Sequence, residues 1–491
     1  MQKLGCVFLF IVIPLLQSTA QTFEYNSQCQ QAYEAIFSLR LEQAKKLLQQ
    51  EKQAHPNNLI PILLENYIDF FTVFITEEET ELDTRIGKKD ERLELLKAGD
   101  ENSPYYLFSQ AEVNLQWAFA RIKFAQYFKA VWEIRRAYKL LEANEKKFPN
   151  FAPNKKSLGI LHAMVGTVPD NYQWGMKILG MEGTIAQGMG EIQSYLQYAS
   201  KNDRLFYDET KLLYSFFLIY IDTKTEQAWQ IAQTLPTKNH LLNTLVAAQL
   251  SFRTGHNDYA IQLLTNRPKG EEYMDFYLLD FLLGTMKLNR LDADADVYLK
   301  RFVQNFNGKH FIKEAYQKLA WHALVINNNQ DAYQKNMERC KSKGSKWADP
   351  DKQAYKEAVE GSMPNRTLLK GRLLFDGGYF QKALTVLQSA NYKTPAEILE
   401  CHYRFGRIYE GLGDNKQAIE YYKKTIEENE SVGEGHFFAP KASLQLAKLY
   451  ERQNEKETAM LYFKKCLRFK NHEYKDSIDQ QAKAGMNRLK G

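Results

Sequence analysis

A chain of 491 residues with 44% hydrophobic and 25% charged residues has a globular composition, which excludes wholesale disorder. Its 26 glycines and 13 prolines are too few for a collagen-like, linker-like or many-turned all-β chain, and fit long helices joined by short turns. The 65 basic and 59 acidic residues leave a net charge of +6, which without a basic stripe or a recognisable module excludes nucleic acid as the expected partner.

At the N-terminus, Lys3 precedes the apolar run Leu4 to Leu16, and Ser18 and Ala20 stand before Gln21. This pattern predicts a secretory signal peptide over residues 1–20. The run is too short to span a bilayer, which takes about 20 residues. Cys6 lies near its start, where a lipid-accepting cysteine would not be. The expectation is an exported protein without a lipid anchor, periplasmic or alternatively secreted.

Residues 21–147 read as divergent helical repeats, with Ala44, Leu48 and Pro56 spaced like Ala137, Leu141 and Pro149. Ser109 to Glu142 forms an aromatic-rich pattern of two helices. Between 148 and 193, three prolines accompany seven glycines from Gly159 to Gly190, predicting a Gly/Pro-rich irregular helical insertion. Residues 194–360 read as central repeats. Within them "LLYSFFLIYI" is only ten residues long and bracketed by charge, so a buried helix is expected rather than a transmembrane one. Residues 361–491 read as C-terminal repeats and a capping helix.

A register recurs along the second half. Gly406 is followed by Tyr409, Ala418 and Tyr422, and Ala447 by Tyr450, Ala459 and Phe463. Gly371 is followed by Leu374, Ala383 and Leu387, with weaker copies from Ala248, Gly284 and Ala320. The anchors are 36, 36, 51, 35 and 41 residues apart, just above the 34-residue tetratricopeptide period, with the two long steps expected to be loop insertions. Small residues recur because the two helices of a hairpin must approach closely where they cross, and large residues fill the flanks. The turns "GLGDNKQA", "RTGHNDYA" and "INNNQDAY" place Asp and Asn where they can cap the second helix. The predicted fold class is all-α, a tetratricopeptide-repeat α-solenoid of antiparallel hairpins.

Local motifs for chemistry are absent from the sequence. Gly175 to Gly190 lacks the Gly-Lys-Ser/Thr ending and the preceding strand of a nucleotide loop, so helix contacts explain its glycines. Asp292, Asp294 and Asp296 alternate as in a calcium loop, but Val297 and Val303 stand where its glycine and glutamate belong. The nine histidines have no metal-ligand spacing, and Cys29, Cys340, Cys401 and Cys466 form neither a disulfide framework nor a zinc pattern. No catalytic, cofactor-binding or metal-ligating residue is assigned, and no cofactor is expected.

Candidate binding residues come from the register. First helices of such arrays line the concave side, where the residue after the small anchor and the one three before it are expected to face inward. Those after it are Gln249, Thr285, Trp321, Arg372, Arg407 and Lys448; those before it are Leu245, Phe281, Gln317, Leu368, Tyr403 and Leu444. Leu245 and Phe281 form an apolar middle zone, expected to be covered by the chain or by an apolar ligand. Arg372, Arg407 and Lys448 form a basic ladder for an acidic or carboxylate-ended segment. The competing reading pairs Arg407 with Glu410 and Lys448 with Glu451 within their own helices.

"LHAMVGTVPDNYQWGMKILGMEGTIAQGMGEIQSYL" resembles the central signature of the tetratricopeptide-repeat-39 / inclusion-body clearance protein family, through Pro169, Ile178, Leu179, Gly180, Gly183 and Gly188. "KAVWEIRRAYKLLE" and "FIKEAYQKLAWHALV" are similar to other blocks of it. The resemblance implies an all-helical scaffold without catalytic residues. Its eukaryotic members are intracellular, whereas the leader here matches exported bacterial repeat proteins. The expected function is a non-enzymatic scaffold for a protein or peptide partner in the bacterial envelope. The alternatives are a carrier of an apolar small molecule or lipid and, as a minority reading, an envelope enzyme.

Overall fold

The computed structural model describes residues 21–168, 173–202, 204–220, 225–433 and 435–490. The expected signal peptide and Pro169 lie outside them. Among the described residues the chain is helical, and an isolated bridge between Thr22 and Asn58 is its only β pairing. Among these same residues no helix is long and apolar enough to cross a membrane.

Two compact units form, one from residues up to Phe74 with Thr80–Lys211, the other from Ile75–Glu79 with Leu212 onward. In chain order the first helices are α1 (Ser27–Phe37), α2 (Leu41–Ala54), α3 (Ile60–Thr76), α4 (Glu79–Ile86), α5 (Lys88–Lys97), α6 (Pro104–Lys123) and α7 (Tyr127–Lys147). Next come α8 (Asn154–Gly166), α9 (Gln173–Ile178), α10 (Ile185–Lys201), α11 (Tyr207–Tyr220) and α12 (Thr225–Thr234). Hairpins follow: α13 (Leu241–Arg253) with α14 (Asn257–Thr265), α15 (Leu278–Asn289) with α16 (Ala295–Asn305), and α17 (Ile312–Val325) with α18 (Gln330–Ser342). After α19 (Asp349–Glu360) come α20 (Arg366–Asp376) with α21 (Phe380–Gln388), α22 (Pro395–Gly411) with α23 (Asn415–Val432), α24 (Phe438–Arg452) with α25 (Lys456–Cys466), and finally α26 (Lys475–Lys490).

Local chemistry sets the boundaries. Thr394 and Glu397 cap each other's backbone at the start of α22, with Pro395 at the first helical position. Asp414 and Asn329 cap α23 and α18, as their turns suggest. In the third turn the outcome differs: the Asn257 amide instead donates to the Met286 carbonyl (2.9 Å), tying one hairpin to the next.

In the first unit, the glycine-rich stretch is a helix crossing. A Cβ on Gly188 would stand 2.3 Å from the Gly159 carbonyl oxygen, and one on Gly166 2.4 Å from the Ile185 nitrogen, so α8 and α10 pack backbone to backbone. In the second unit, every anchor lies in a first helix. A Cβ on Gly406 would sit 2.6 Å from the ring of Tyr422, which is fully buried. Gly406→Ala should therefore destabilise the second unit by about 1–2 kcal/mol despite its better helix propensity, read as a lower denaturant midpoint.

The 51-residue step holds a helix rather than a loop. α19 packs on α17 and α18, burying Ala354 and Ala358 beside Ala320, Tyr333 and Cys340. Asp351 caps α17 from a distance, accepting from the backbone N–H groups of Phe311 (2.7 Å) and Glu314 (3.1 Å). Lys313 answers at the far end of α18, donating to the carbonyls of Cys340, Lys341 and Lys343. The 41-residue step is likewise partly helix, since α23 runs on to Val432.

Burial raises the Asp351 carboxyl from 3.8 to about 6. Its folded value exceeds its unfolded one, so the linked stability is full below the unfolded value and is lost as pH rises through about 6. Asp351→Asn should flatten this decline, measured by urea unfolding at a series of pH values.

The hairpins coil tightly enough for distant ones to touch. Tyr379, after α20, donates to Asp258 (2.8 Å) and accepts from Asn257 (3.1 Å), at the start of α14.

Candidate partner-binding groove

The residues one past the anchor behave differently from those three before it. Tyr403, Phe281, Leu368, Leu444 and Gln317 are buried, not groove-lining. The correction has a packing cause: the four apolar or aromatic residues pack into clusters shared by neighbouring hairpins, and Gln317 lies against α19. Phe281 stacks on Phe311 (5.2 Å) and meets Phe302 (5.2 Å), while Tyr403 packs on Phe438 (5.4 Å). Leu245 is half-buried. With Phe281 enclosed by α17, the apolar middle zone that motivated a carrier is filled by the chain.

Trp321 is also buried, and its indole N–H donates to Glu357 of α19 (2.8 Å). Gln317 donates to the same carboxylate (2.5 Å), so α19 covers this turn of α17. Past it, cations stack one hairpin back: Arg372 lies 4.8 Å from the Trp321 ring and Arg407 4.8 Å from the Phe375 ring. Arg407 donates to the Tyr403 hydroxyl (3.2 Å), and Lys448 to Gln481 (2.9 Å).

The intrahelical pairing does not form. Glu410 instead bonds Arg452 (2.7 Å) and Glu451 bonds Arg488 (2.8 Å), both partners belonging to the following helix of the stack. Arg407 and Lys448 consequently have no carboxylate within ion-pair distance among the described residues, and Arg372 has only Asp376 at 3.8 Å.

Lys441 completes the cluster and escaped the register. It lies seven residues before Lys448, two turns along the same face of α24, and is half-buried without an ion-pair partner among the described residues. Burial, reinforced by Lys448 and Arg407, pushes its ammonium down from 10.5 to about 8. The depressed value means that the linked stability is present above the unfolded value and lost as pH falls through about 8. A bound anion would offset that loss.

Other concentrations of chemistry are closed. In the first unit Lys156 is held by Glu112 (2.8 Å) and Glu209 (3.1 Å), and Tyr67 and Tyr33 donate to the same carboxylates. Lys156 and Glu112 are almost inaccessible, so the network serves the core. A recess of about 500 Å³ beside α3 and α5 has its inner charges paired, Arg85 and Arg92 on Asp69 and Lys52 on Glu65. Each aspartate of the calcium-like run meets a cation: Asp292 bonds Arg290, Asp294 bonds Lys287 and Asp296 bonds Lys300. Cys29, Cys340, Cys401 and Cys466 are buried free thiols, each pushed up to about 12 by burial. Among the described residues no group of His, Cys, Asp or Glu is arranged to hold a metal ion.

The cations sit on α20, α22 and α24, and α26 contributes Gln481 to Lys448. The family model described as tetratricopeptide repeat matches residues 399–431 and 440–472. Those two segments are tetratricopeptide repeats. They coincide with α22–α23 and with α24–α25 plus the turn beyond, the hairpins that carry Arg407, Lys441 and Lys448. No curated protein matches the chain. Among solved structures, "Structure of Naa15/Naa10 bound to HypK-THB" aligns with 89% of this chain and 67% of that one at 13% identity, with a TM-score of 0.23. So weak a superposition carries no argument; the all-α solenoid rests on the helices and the repeat matches.

Proposed function

We propose that this protein is a non-enzymatic scaffold whose C-terminal groove binds an acidic or carboxylate-ended segment of a protein partner. The observation behind it is that Arg407, Lys441 and Lys448 share one face without a carboxylate, while neighbouring glutamates are committed to Arg452 and Arg488. A segment carrying two carboxylates would satisfy them, Arg407 through paired hydrogen bonds. Tyr403 supports Arg407 from below, and Arg372 extends the ladder over Trp321. The N-terminal pattern supports reading the protein as exported to the bacterial envelope, and the likeness of the Gly/Pro-rich stretch to the tetratricopeptide-repeat-39 family supports reading it as a scaffold.

The test is affinity capture with the full chain and with the Arg407→Glu/Lys448→Glu variant. Capture by the first and not the second is expected, with helical content equal in both. Capture should also weaken as pH rises through about 8, as Lys441 loses its proton. Undiminished capture by the variant refutes the groove.

A further inference from the structure

The first unit carries an exposed apolar face that neither its core nor the groove explains. On α7, Phe128 is 78% exposed, Trp132 49% and Val131 38%, and the two rings meet edge to face at 6.2 Å. On α9, Trp174 is 65% and Ile178 73% exposed, one turn apart. The segment that directly follows α9 is tied to α7. Arg135, one turn beyond Trp132, donates from Nε to the Leu179 carbonyl (2.8 Å), and the Tyr138 hydroxyl donates to the Glu182 carbonyl (2.9 Å). The side chains of an otherwise well-packed unit thus present two tryptophans, a phenylalanine and two aliphatics to water, where such large apolar groups mark a contact.

The charge around this face is mainly basic, with Glu142 and the exposed Glu182 as the acids beside it. Lys129, Arg136 and Lys177 are exposed, and none has an ion pair among the described residues. Lys139, also exposed, bonds Glu142 (2.7 Å). The only acid between Tyr127 and Lys139 is Glu133, which is buried and taken up by Lys89 (2.6 Å) and Arg121 (2.9 Å). Apolar rings with a cationic rim match a surface that offers negative charge at its face and hydrocarbon just below. Indole and phenyl rings partition to the lipid interface, and each basic residue near an anionic leaflet adds about 1 kcal/mol. A protein groove would have to be shaped to these separate protruding groups, whereas a bilayer accepts them in any arrangement.

We propose that the face formed by Phe128, Val131 and Trp132 of α7 with Trp174 and Ile178 of α9 docks the protein on an anionic lipid bilayer. The site is peripheral: rings enter the headgroup region and the lysines meet phosphate. It is independent of the C-terminal groove, so either proposal stands if the other fails.

The test is co-sedimentation of the full chain with vesicles of phosphatidylcholine, with and without phosphatidylglycerol. The wild type is expected to bind the anionic vesicles, to release them at high salt, and to show blue-shifted tryptophan emission when bound. Phe128→Ser/Trp132→Ser should weaken binding at least about tenfold, as should the charge variant Lys129→Glu/Lys177→Glu. The charge variant alters only exposed lysines, which keeps the test decisive if the serine variant misfolds. Three outcomes overturn the proposal: no binding to anionic vesicles at low salt, binding unchanged in both variants, or a wild-type dimer in solution that these substitutions dissolve. The last would assign the face to a second copy of the chain.

Discussion

Lys156→Met should cost the first unit about 3–5 kcal/mol, because it leaves two carboxylates facing each other in the core. Glu112 and Glu209 share this one ammonium, at 2.8 and 3.1 Å, and Phe206 and Phe108 close over it at 4.8 and 5.7 Å. Burial, partly opposed by Lys156 and then reinforced by Glu112, already holds the Glu209 carboxyl above its usual range. Without the lysine that rise grows. A raised folded value stabilises at low pH and loses its contribution as pH rises, so the defect should be deepest near neutrality and shrink toward acid. Combining Lys156→Met with Glu209→Gln should recover part of the loss. Hydrogen exchange over α6, α8 and α11 is the right readout, since a chain with two compact units does not yield a single unfolding free energy.

Reversing Arg407 and Lys448 should abolish partner affinity, by about 100-fold or more, as charges at a desolvated contact each cost about 2–5 kcal/mol when removed. Stability should fall far less than affinity: the variant loses the Arg407 stack on Phe375 and the bonds to Tyr403 and Gln481, but strands no carboxylate, since Glu410 and Glu451 are served by Arg452 and Arg488. The same substitutions have a readout that needs no partner. Lys441 is depressed to about 8 by burial and by these two cations, so with glutamates in their place its titration should move back toward 10.5. Observing the reductively methylated ammonium by NMR over a pH series measures this directly. An unmoved Lys441 would show that the three side chains do not share a face.

These contrasts show which physics the sequence carried. The crossing of Gly406 on Tyr422 and the caps at Asp414 and Asn329 were legible, because a hairpin's internal contacts lie within one repeat. The seam between hairpins was not. Whether Phe281 and Tyr403 face a groove or a neighbour depends on how far each hairpin rotates on the last, which no single period encodes. α19 was missed for a similar reason: spacing read as insertion length does not say whether the inserted residues fold. Lys441 was recoverable from its seven-residue spacing to Lys448 once α24 was known to span both. Lys156 was not, since nothing near "PNKKSLG" marks it as buried and its partners lie 44 and 53 residues away.

The most direct test places a photo-crosslinking residue at Gln445, on the α24 face between Lys441 and Lys448, and another at Leu461, exposed on α25. Adducts with the captured partner at 445, at an acidic or C-terminal segment of it, and none at 461 are predicted. Adducts at 461 alone, or at neither position, would contradict a scaffold that binds through this groove.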